Sequence, residues 1–395
     1  MTGFLGALIR RERLRQSVSQ EGLCRGICAV SYLSKIEQGK AEAGEDILLP
    51  LLERLGVTYE RDGDFLARAG EVVEDLYEGL LDGRDDTAPF QEKLAWLRDN
   101  RERCLASPYM LDVLIFTGCR LGGEETAELR EAAEFVPWMT RRQYELYLAA
   151  RAAGGREGAA EELLRLNPCG YYTYFTGLLH YRAGRYMEAA DHLTRSYDLA
   201  AQEGRAFLML QSKIYLGNCF SFIRRQERML EHYRVARRLA AALGDPGEYL
   251  PTIDYNVACT YLEQKRPEEA LALLRTVRRR DALFYHKLAI ALEQLGRQEE
   301  ALSAVEEGLA LPAADPISPE AVRGMLEAVA YRLRHPDYLR DGVYPALMED
   351  LFRLLREKAL AGFVRFHLPY MLEALEAERR YKEAYRLSRE FSAEF

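Results

Sequence analysis

The chain has 395 residues, more than one ordinary domain needs and enough to bury a large core. Its 48% hydrophobic and 29% charged residues are typical of a folded globular protein and exclude a disordered chain. A net charge of −8 excludes a protein that coats nucleic acid along its whole length.

The positive charge is concentrated at the N-terminus. Seven basic and three acidic residues give positions 1–40 a net charge of +4, so the remainder of the chain is strongly acidic. We therefore expect any contact with nucleic-acid phosphates to be confined to this basic segment.

Neither a membrane segment nor a cofactor site is expected. The apolar runs are short and interrupted by Arg or Glu, and residues 1–16 lack the apolar stretch and cleavage site of a signal peptide. Seven scattered cysteines include no CxxC pair, and no metal or cofactor motif occurs. The sequence therefore predicts a cytoplasmic protein with reduced thiols and no cofactor.

The first forty residues predict three helices separated by tight turns. Apolar residues at helical spacing indicate a first helix over residues 3–16. Ser19 is a helix-capping residue before a short second helix, and Gly26 fits the turn that ends it. A third helix over residues 29–38 ends at Gly39. This order is that of a helix-turn-helix unit.

Residue identities make this interpretation more specific. The string SQEGLCRGICAVSYLSKIEQGKAEAGEDILLPLLERLGV resembles the XRE/Cro-type helix-turn-helix, with "S-Y-L-S-K-I-E" in the third helix and "L-G-V" after the fourth. Within that class it resembles the PlcR-like branch most, over residues 3–58. Two positions depart from the pattern, because Ala29 stands where Ser or Thr caps the recognition helix and Gly22 where a helix former is commoner.

The third helix is the predicted recognition helix, which lies in the DNA major groove in this class. Helical phase predicts that Leu33 and Ile36 are buried and that Glu37 braces the helix against an arginine of the first helix. Tyr32 either touches the DNA backbone or packs, and the resemblance implies a backbone contact for Gln20. The predicted DNA-binding residues are Gln20, Val30, Ser31, Tyr32, Ser34, Lys35 and Lys40. The alternative is a helix-turn-helix that has lost DNA binding and mediates assembly.

Residues 67–395 predict only helices, arranged as hairpins that repeat. The clearest copy, Tyr171–Ala200, has the small, Gly, Tyr and Ala positions of the tetratricopeptide (TPR) pattern. A divergent hairpin is expected over Pro319–Lys358. The predicted second-helix positions are Ala159, Ala189, Met229, Ala270, Ala301 and Ala384. We therefore predict an all-α protein, with a five-helix helix-turn-helix domain over residues 1–66 and a right-handed TPR-like superhelix over 67–395.

A stack of such hairpins forms a concave groove lined by the first helix of each pair, which suits an extended or helical peptide. Asparagine amides can hold a peptide backbone, and a lysine can meet a terminal carboxylate. Helical phase predicts these groove residues: Tyr171, Phe175, Gln211, Tyr215, Asn218, Asn256 and Lys287. Alternatively, the asparagines bond to neighbouring groups of the chain and the tyrosines are core residues.

A helix-turn-helix followed by TPR-like repeats resembles the RRNPP group of bacterial peptide-pheromone receptors. The resemblance implies a homodimer on a pseudo-palindromic promoter site and control by a short signalling peptide. No catalytic motif occurs and no two histidines form a ligand pair, so we expect no enzyme. The main alternative is a TPR interaction protein that binds a protein partner, with DNA binding secondary or lost.

Overall fold

The computed structural model describes residues 2–119, 126–156, 158–245, 249–277, 280–311, 318–358 and 361–393. All regular secondary structure in these ranges is helical, which confirms the predicted all-α class. The chain divides into two compact units, residues 1–212 and 213–395.

The first unit begins with the predicted five helices. They are α1 (Thr2–Arg15), α2 (Gln20–Cys24), α3 (Val30–Glu37), α4 (Glu45–Arg54) and α5 (Gly63–Leu81). The turn signals act as expected: the Ser19 hydroxyl accepts from the Gly22 N–H at 3.0 Å, and Gly26 and Gly39 have φ of +75° and +66°. Ala29 caps α3 with no side-chain hydrogen bond. Helices α1 to α4 are called the head below. Capping and turn residues that are local in the sequence determine where its helices begin and end.

Shorter helices and the first hairpins complete this unit. They are α6 (Ala88–Asp99), α7 (Arg101–Leu105), α8 (Met110–Gly118), α9 (Ala127–Ala133), a 3₁₀ turn η1 (Val136–Trp138), α10 (Arg141–Ala153), α11 (Ala159–Leu166), α12 (Gly170–Arg182), α13 (Tyr186–Gln202) and the start of α14 (Ala206–Phe222). One apolar core runs from Leu5 to Ala150. The predicted domain boundary at residue 66 falls inside α5, and as a division of function it stays a prediction.

The second unit contains the remaining hairpins. Its helices after α14 are α15 (Gln226–Ala242), α16 (Tyr249–Glu263), α17 (Pro267–Leu274), α18 (Ala282–Gln294), α19 (Gln298–Ala310), α20 (Pro319–Arg334), α21 (Val343–Glu357), α22 (Ala361–Ala377) and α23 (Tyr381–Ala393). The pair α20–α21 is the divergent hairpin expected over residues 319–358.

Small residues let the helices of each hairpin pack closely. All six predicted second-helix positions are buried, four of them completely. A Cβ on Gly177 of α12 would lie 3.0 Å from the Leu193 side chain of α13, and one on Gly217 of α14 would lie 2.5 Å from the Tyr233 ring of α15. The repeat pattern therefore encodes close helix–helix contact, as predicted.

The turn inside six of the hairpins follows one backbone plan. The second residue after the first helix has a φ between +57° and +82°, and the N–H of the next residue donates to the carbonyl five residues earlier. This is the Schellman ending, whose left-handed residue is usually glycine. The left-handed residues are Gly155, Gly184, Arg224, Lys265, Gly296 and Arg379. Three hairpins therefore place a basic side chain where glycine is the least strained choice.

Candidate DNA-binding face and groove

The recognition helix α3 presents one apolar and one polar face. Leu33 and Ile36 are buried, as predicted. Val30 is 41% exposed, and Ser31 and Lys35 are also exposed. These exposed side chains lie on the face that would meet the bases and phosphates of a major groove.

Glu37 holds α3 to the first helix, as its position predicts. Both carboxylate oxygens accept from Arg13, at 2.6 Å to Nε and 2.8 Å to Nη2, and both side chains are buried. The hydrogen bond to Glu37 raises the pKa of Arg13. Arg13 also donates to the Val18 carbonyl at 3.0 Å. A bidentate charged pair of this kind fixes the orientation of α3 as well as its position.

The other four predicted DNA-binding residues differ in whether they already form hydrogen bonds within the head. Gln20 donates to Glu37 at 2.8 Å, and the Tyr32 hydroxyl donates to the Glu42 carbonyl at 2.8 Å. Ser34 is half-buried and accepts from Gln38 at 3.2 Å, whereas Lys40 is exposed just after the helix. Gln20 and Tyr32 therefore hold the head together in the structure, and their contacts with DNA stay a prediction.

Sequence reasoning missed two close contacts that position α3. A Cβ on Gly6 of α1 would lie 2.1 Å from the Ile36 carbonyl oxygen, so the two helices meet backbone to backbone. A Cβ on Gly39 would lie 3.0 Å from Nε1 of Trp138 in η1. The only signals in the sequence are Gly6 inside the predicted first helix and Gly39 at the end of the predicted third helix.

The head is also tied to the segment formed by α9 and η1. Arg11 of α1 forms an ion pair with Glu131 of α9, and its guanidinium lies 5.5 Å from the centre of the Phe135 ring. The Arg11 ion pair therefore connects α1 to α9, and the Trp138 contact at Gly39 connects the end of α3 to η1.

Three of the predicted groove residues belong to the first unit and are buried. Tyr171, Phe175 and Gln211 are 6%, 7% and 4% exposed. The turn between α5 and α6 covers this region, since Gln211 donates to Asp86 at 3.4 Å and Leu208 packs on Gly83. A ligand would have to displace this contact to reach Gln211, and Tyr171 and Phe175 are also closed to solvent.

The predicted asparagines lie in the second unit and share one partner. The Tyr233 hydroxyl donates to Oδ1 of Asn218 at 2.5 Å and accepts from Nδ2 of Asn256 at 3.1 Å. This chain of hydrogen bonds links α14, α15 and α16. Tyr215, Asn218 and Asn256 are half-buried. The arrangement matches the alternative in which the asparagines bond to neighbouring groups, and ligand contact by them stays a prediction.

Lys287 of α18 lies beneath α22. It is 2% exposed, and its ammonium lies 2.9 Å from the centre of the Phe366 ring. Burial lowers the pKa of Lys287 to about 8. Helix α22 also reaches α14, where Arg365 donates to the Ser221 hydroxyl at 3.0 Å. The last hairpin therefore covers the lysine that the sequence places in the groove.

Two buried histidines join α18 to α22. Nδ1 of His367 lies 2.8 Å from the Phe363 carbonyl, so it carries the proton, and Nε2 of His286 then donates to Nε2 of His367 at 3.3 Å. Among the described residues, Nδ1 of His286 is buried and has no hydrogen-bond partner. This agrees with the assignment, in which Nδ1 of His286 carries no proton. Burial lowers the pKa of both rings, to about 3 for His367.

No group of three His, Cys, Asp or Glu residues in the described ranges is arranged to hold a metal ion. None of the helices described here combines the length and the apolar character needed to cross a membrane.

Comparison with known proteins assigns the head and the fold. Residues 9–61 match the helix-turn-helix family HTH_3. The chain superposes on the apo form of the quorum sensor NprR from B. thuringiensis with a TM-score of 0.57 and 14% identity, covering 84% of this chain and 99% of that one. It superposes on a Rap protein complexed with competence and sporulation factor with a TM-score of 0.52 and 15% identity, covering 83% and 97%. A search of curated sequences finds no match. The N-terminal segment is therefore a helix-turn-helix, and the fold is that of these TPR-like proteins.

Proposed function

We propose that this protein is a cytoplasmic transcriptional regulator whose head binds promoter DNA and whose TPR-like repeats bind a short signalling peptide. The observation that carries the DNA-binding half is α3, braced by Glu37 on one side with Val30, Ser31 and Lys35 exposed on the other. The helix-turn-helix match and the basic charge of the first forty residues support it.

The peptide half rests on the fold and on the resemblance to the pheromone receptors. The similar structures include a quorum sensor and a Rap protein solved with competence and sporulation factor. In the second unit Tyr215, Asn218 and Asn256 supply an aromatic ring and two amides on neighbouring first helices, which suits a peptide backbone.

A homodimer would place two recognition helices roughly 34 Å apart, one turn of DNA, on a pseudo-palindromic site. A peptide would regulate this dimer by binding one of its geometries more tightly than the other. The contact of Arg11 with Glu131 connects α1 to the following helices, and the contact of Gly39 with Trp138 connects the end of the recognition helix to them.

A mobility shift with promoter fragments, with and without peptides from conditioned medium, tests the proposal. We expect the wild-type chain to shift DNA, a Ser34→Ala/Lys35→Ala variant to lose the shift, and peptide to change it. Lys382→Ala removes an exposed lysine of α23 and should leave the shift unchanged. Absence of any shift at low salt would instead favour the protein-binding alternative.

A further inference from the structure

Helix α22 lies across the first helices of three earlier hairpins in the second unit. Its Arg365 donates to the carbonyl oxygen of Ser221 in α14 and, at 3.0 Å, to the Ser221 hydroxyl, and it lies 3.6 Å from Glu263 in α16. Phe366 and His367 of α22 contact α18. Since the first helices line the groove of a TPR-like stack, α22 occupies part of that groove.

The residues that α22 contacts lie on the predicted groove face. Ser221 follows Asn218 by three positions and Glu263 follows Asn256 by seven, so each lies on the same side of its helix as the asparagine. Lys287 is itself the predicted groove residue of α18. Helix α22 therefore covers one end of the groove face and leaves both asparagines half-buried beside it.

The contact between α22 and α18 leaves polar groups in unfavourable surroundings. Lys287 is 2% exposed, and its ammonium faces the Phe366 ring instead of a carboxylate. Among the described residues, Nδ1 of His286 and Oε1 of Gln294 are buried with no hydrogen-bond partner. Burying an amine and two unpaired polar atoms costs free energy, which exposure to water would recover.

The packing under α22 is also incomplete. A cavity of about 560 Å³ lies between α22 and the ends of α14, α16 and α18, and its wall includes Thr260, Gln294, Arg365 and Tyr370. Permanent helix contacts are close-packed, whereas side chains around a cavity lose part of their dispersion energy.

The opposite face of α22 packs far better. Val364 and Leu368 belong to one apolar core with Leu351 and Leu355 of α21, and all four side chains are buried. The contact with α21 is therefore the stronger of the two, so that α22 would leave the groove together with α21.

We propose that α22 is an autoinhibitory latch over the groove of the second unit, held closed by Arg365. When Arg365 releases Ser221 and Glu263, α22 moves away with α21 and uncovers Lys287. A ligand that contacts Lys287 binds the open form and shifts the equilibrium toward it. The opening depends on the contacts of α22 alone, whereas its autoinhibitory role rests on the proposed peptide binding.

Acetylation of Lys287 measures the opening in the full-length chain. The folded protein is treated with N-acetoxysuccinimide, and mass spectrometry compares Lys287 with the exposed Lys382 of α23. We expect Arg365→Gln to raise the labelling of Lys287 about tenfold, because the variant loses the charged hydrogen bonds that close the latch. Arg356→Gln is the matched control, since it removes an ion pair with Glu390 that links α21 to α23. It should label like the wild type.

Ser221→Ala tests the latch from the side of α14. It removes the hydroxyl that accepts from Arg365 with little change in packing, and the labelling of Lys287 should rise about threefold. Wild-type labelling in Arg365→Gln, or an equal rise in Arg356→Gln, would overturn the latch. If Arg365→Gln does not fold, wild-type labelling in Ser221→Ala would overturn it instead.

Dialysis against a pool of randomised heptapeptides tests the autoinhibitory role. Arg365→Gln should retain about threefold more peptide than the wild type, because a larger fraction of the chain is open, and Arg356→Gln should retain the wild-type amount. Equal retention by all three proteins would overturn autoinhibition. Retention of no peptide by any of them, with Lys287 labelled more strongly in Arg365→Gln, would contradict the proposed peptide binding and leave the latch in place.

Discussion

At the scale of single residues, the position of α3 in the head depends on the charge of Glu37 and on the small size of Gly6. Glu37 receives three hydrogen bonds, two from Arg13 and one from Gln20, in a buried position. Gly6 permits a backbone contact that no other residue allows. Neither residue faces DNA, yet both set where α3 lies.

Replacing Glu37 with Gln should loosen the head. The change keeps the shape of the side chain but removes the charge that pairs with buried Arg13, which we expect to cost about 3 kcal/mol. Amide hydrogen exchange over residues 19–40 measures the loss. Glu21→Gln, at an exposed site on α2, is the control and should exchange like the wild type. Unchanged protection in Glu37→Gln would show that the ion pair does not position α3.

Gly6→Ala should destabilise the head although alanine favours helices. The added methyl would lie 2.1 Å from the Ile36 carbonyl oxygen, so α1 and α3 must separate, at a cost of about 1–3 kcal/mol. Among the described residues, no atom lies within 4 Å of a Cβ added to Gly63 at the start of α5, so Gly63→Ala should be neutral or stabilising. Thermal melting of both variants tests this prediction. Equal melting temperatures for Gly6→Ala and Gly63→Ala would contradict the close contact between α1 and α3.

At the scale of secondary-structure elements, α22 is the least predictable part of the fold. The sequence predicts the hairpins because their signals are local: Ser19 caps a helix, Gly184 ends one, and a buried Ala189 marks a repeat. It does not predict the partners of Arg365 and Lys287, because Ser221 and Phe366 are far away in the sequence. The contact between Trp138 and Gly39 was missed for the same reason.

Acid should loosen the contact between α22 and α18. His286 and His367 are neutral in the folded chain, with Lys287 and Arg332 close enough to oppose a further charge. Both folded-state pKa values lie below the ordinary 6.5, so the unfolded chain takes up protons first as the pH falls below 6.5. The stability from these rings is therefore present above pH 6.5 and declines toward pH 3, by about 1.4 kcal/mol per pH unit for each ring.

Hydrogen exchange at pH 7.5 and 5.5, corrected for intrinsic rates, measures this effect in the two helices concerned. We expect α18 and α22 to lose protection at pH 5.5 in the wild type. His335 is exposed and serves as the control. The His335→Gln variant should lose protection in α18 and α22 at pH 5.5 as the wild type does. Equal protection at both pH values would show that the histidine pair does not hold α22.

At the scale of the whole molecule, the charge distribution and the fold support the prediction that the head and the repeats have different functions. The basic head carries the exposed face of α3, and the acidic remainder consists of hairpins whose fold is that of a quorum sensor and a Rap protein. The sequence predicts this division because the helix-turn-helix and the repeats each carry local signatures. The site residues are less predictable, since Tyr171, Phe175, Gln211 and Lys287 are buried by segments distant in sequence.

Selection from a randomised DNA duplex pool by the full-length chain tests the central claim most directly. The account predicts an enriched pseudo-palindrome with half-sites about 10 base pairs apart, binding that weakens as salt rises, and a loss of enrichment in Ser34→Ala/Lys35→Ala. Lys382→Ala should enrich the same sequence as the wild type. Recovery of no sequence above background at low salt, or the same sequence from the Ser34→Ala/Lys35→Ala variant, would contradict DNA recognition by α3.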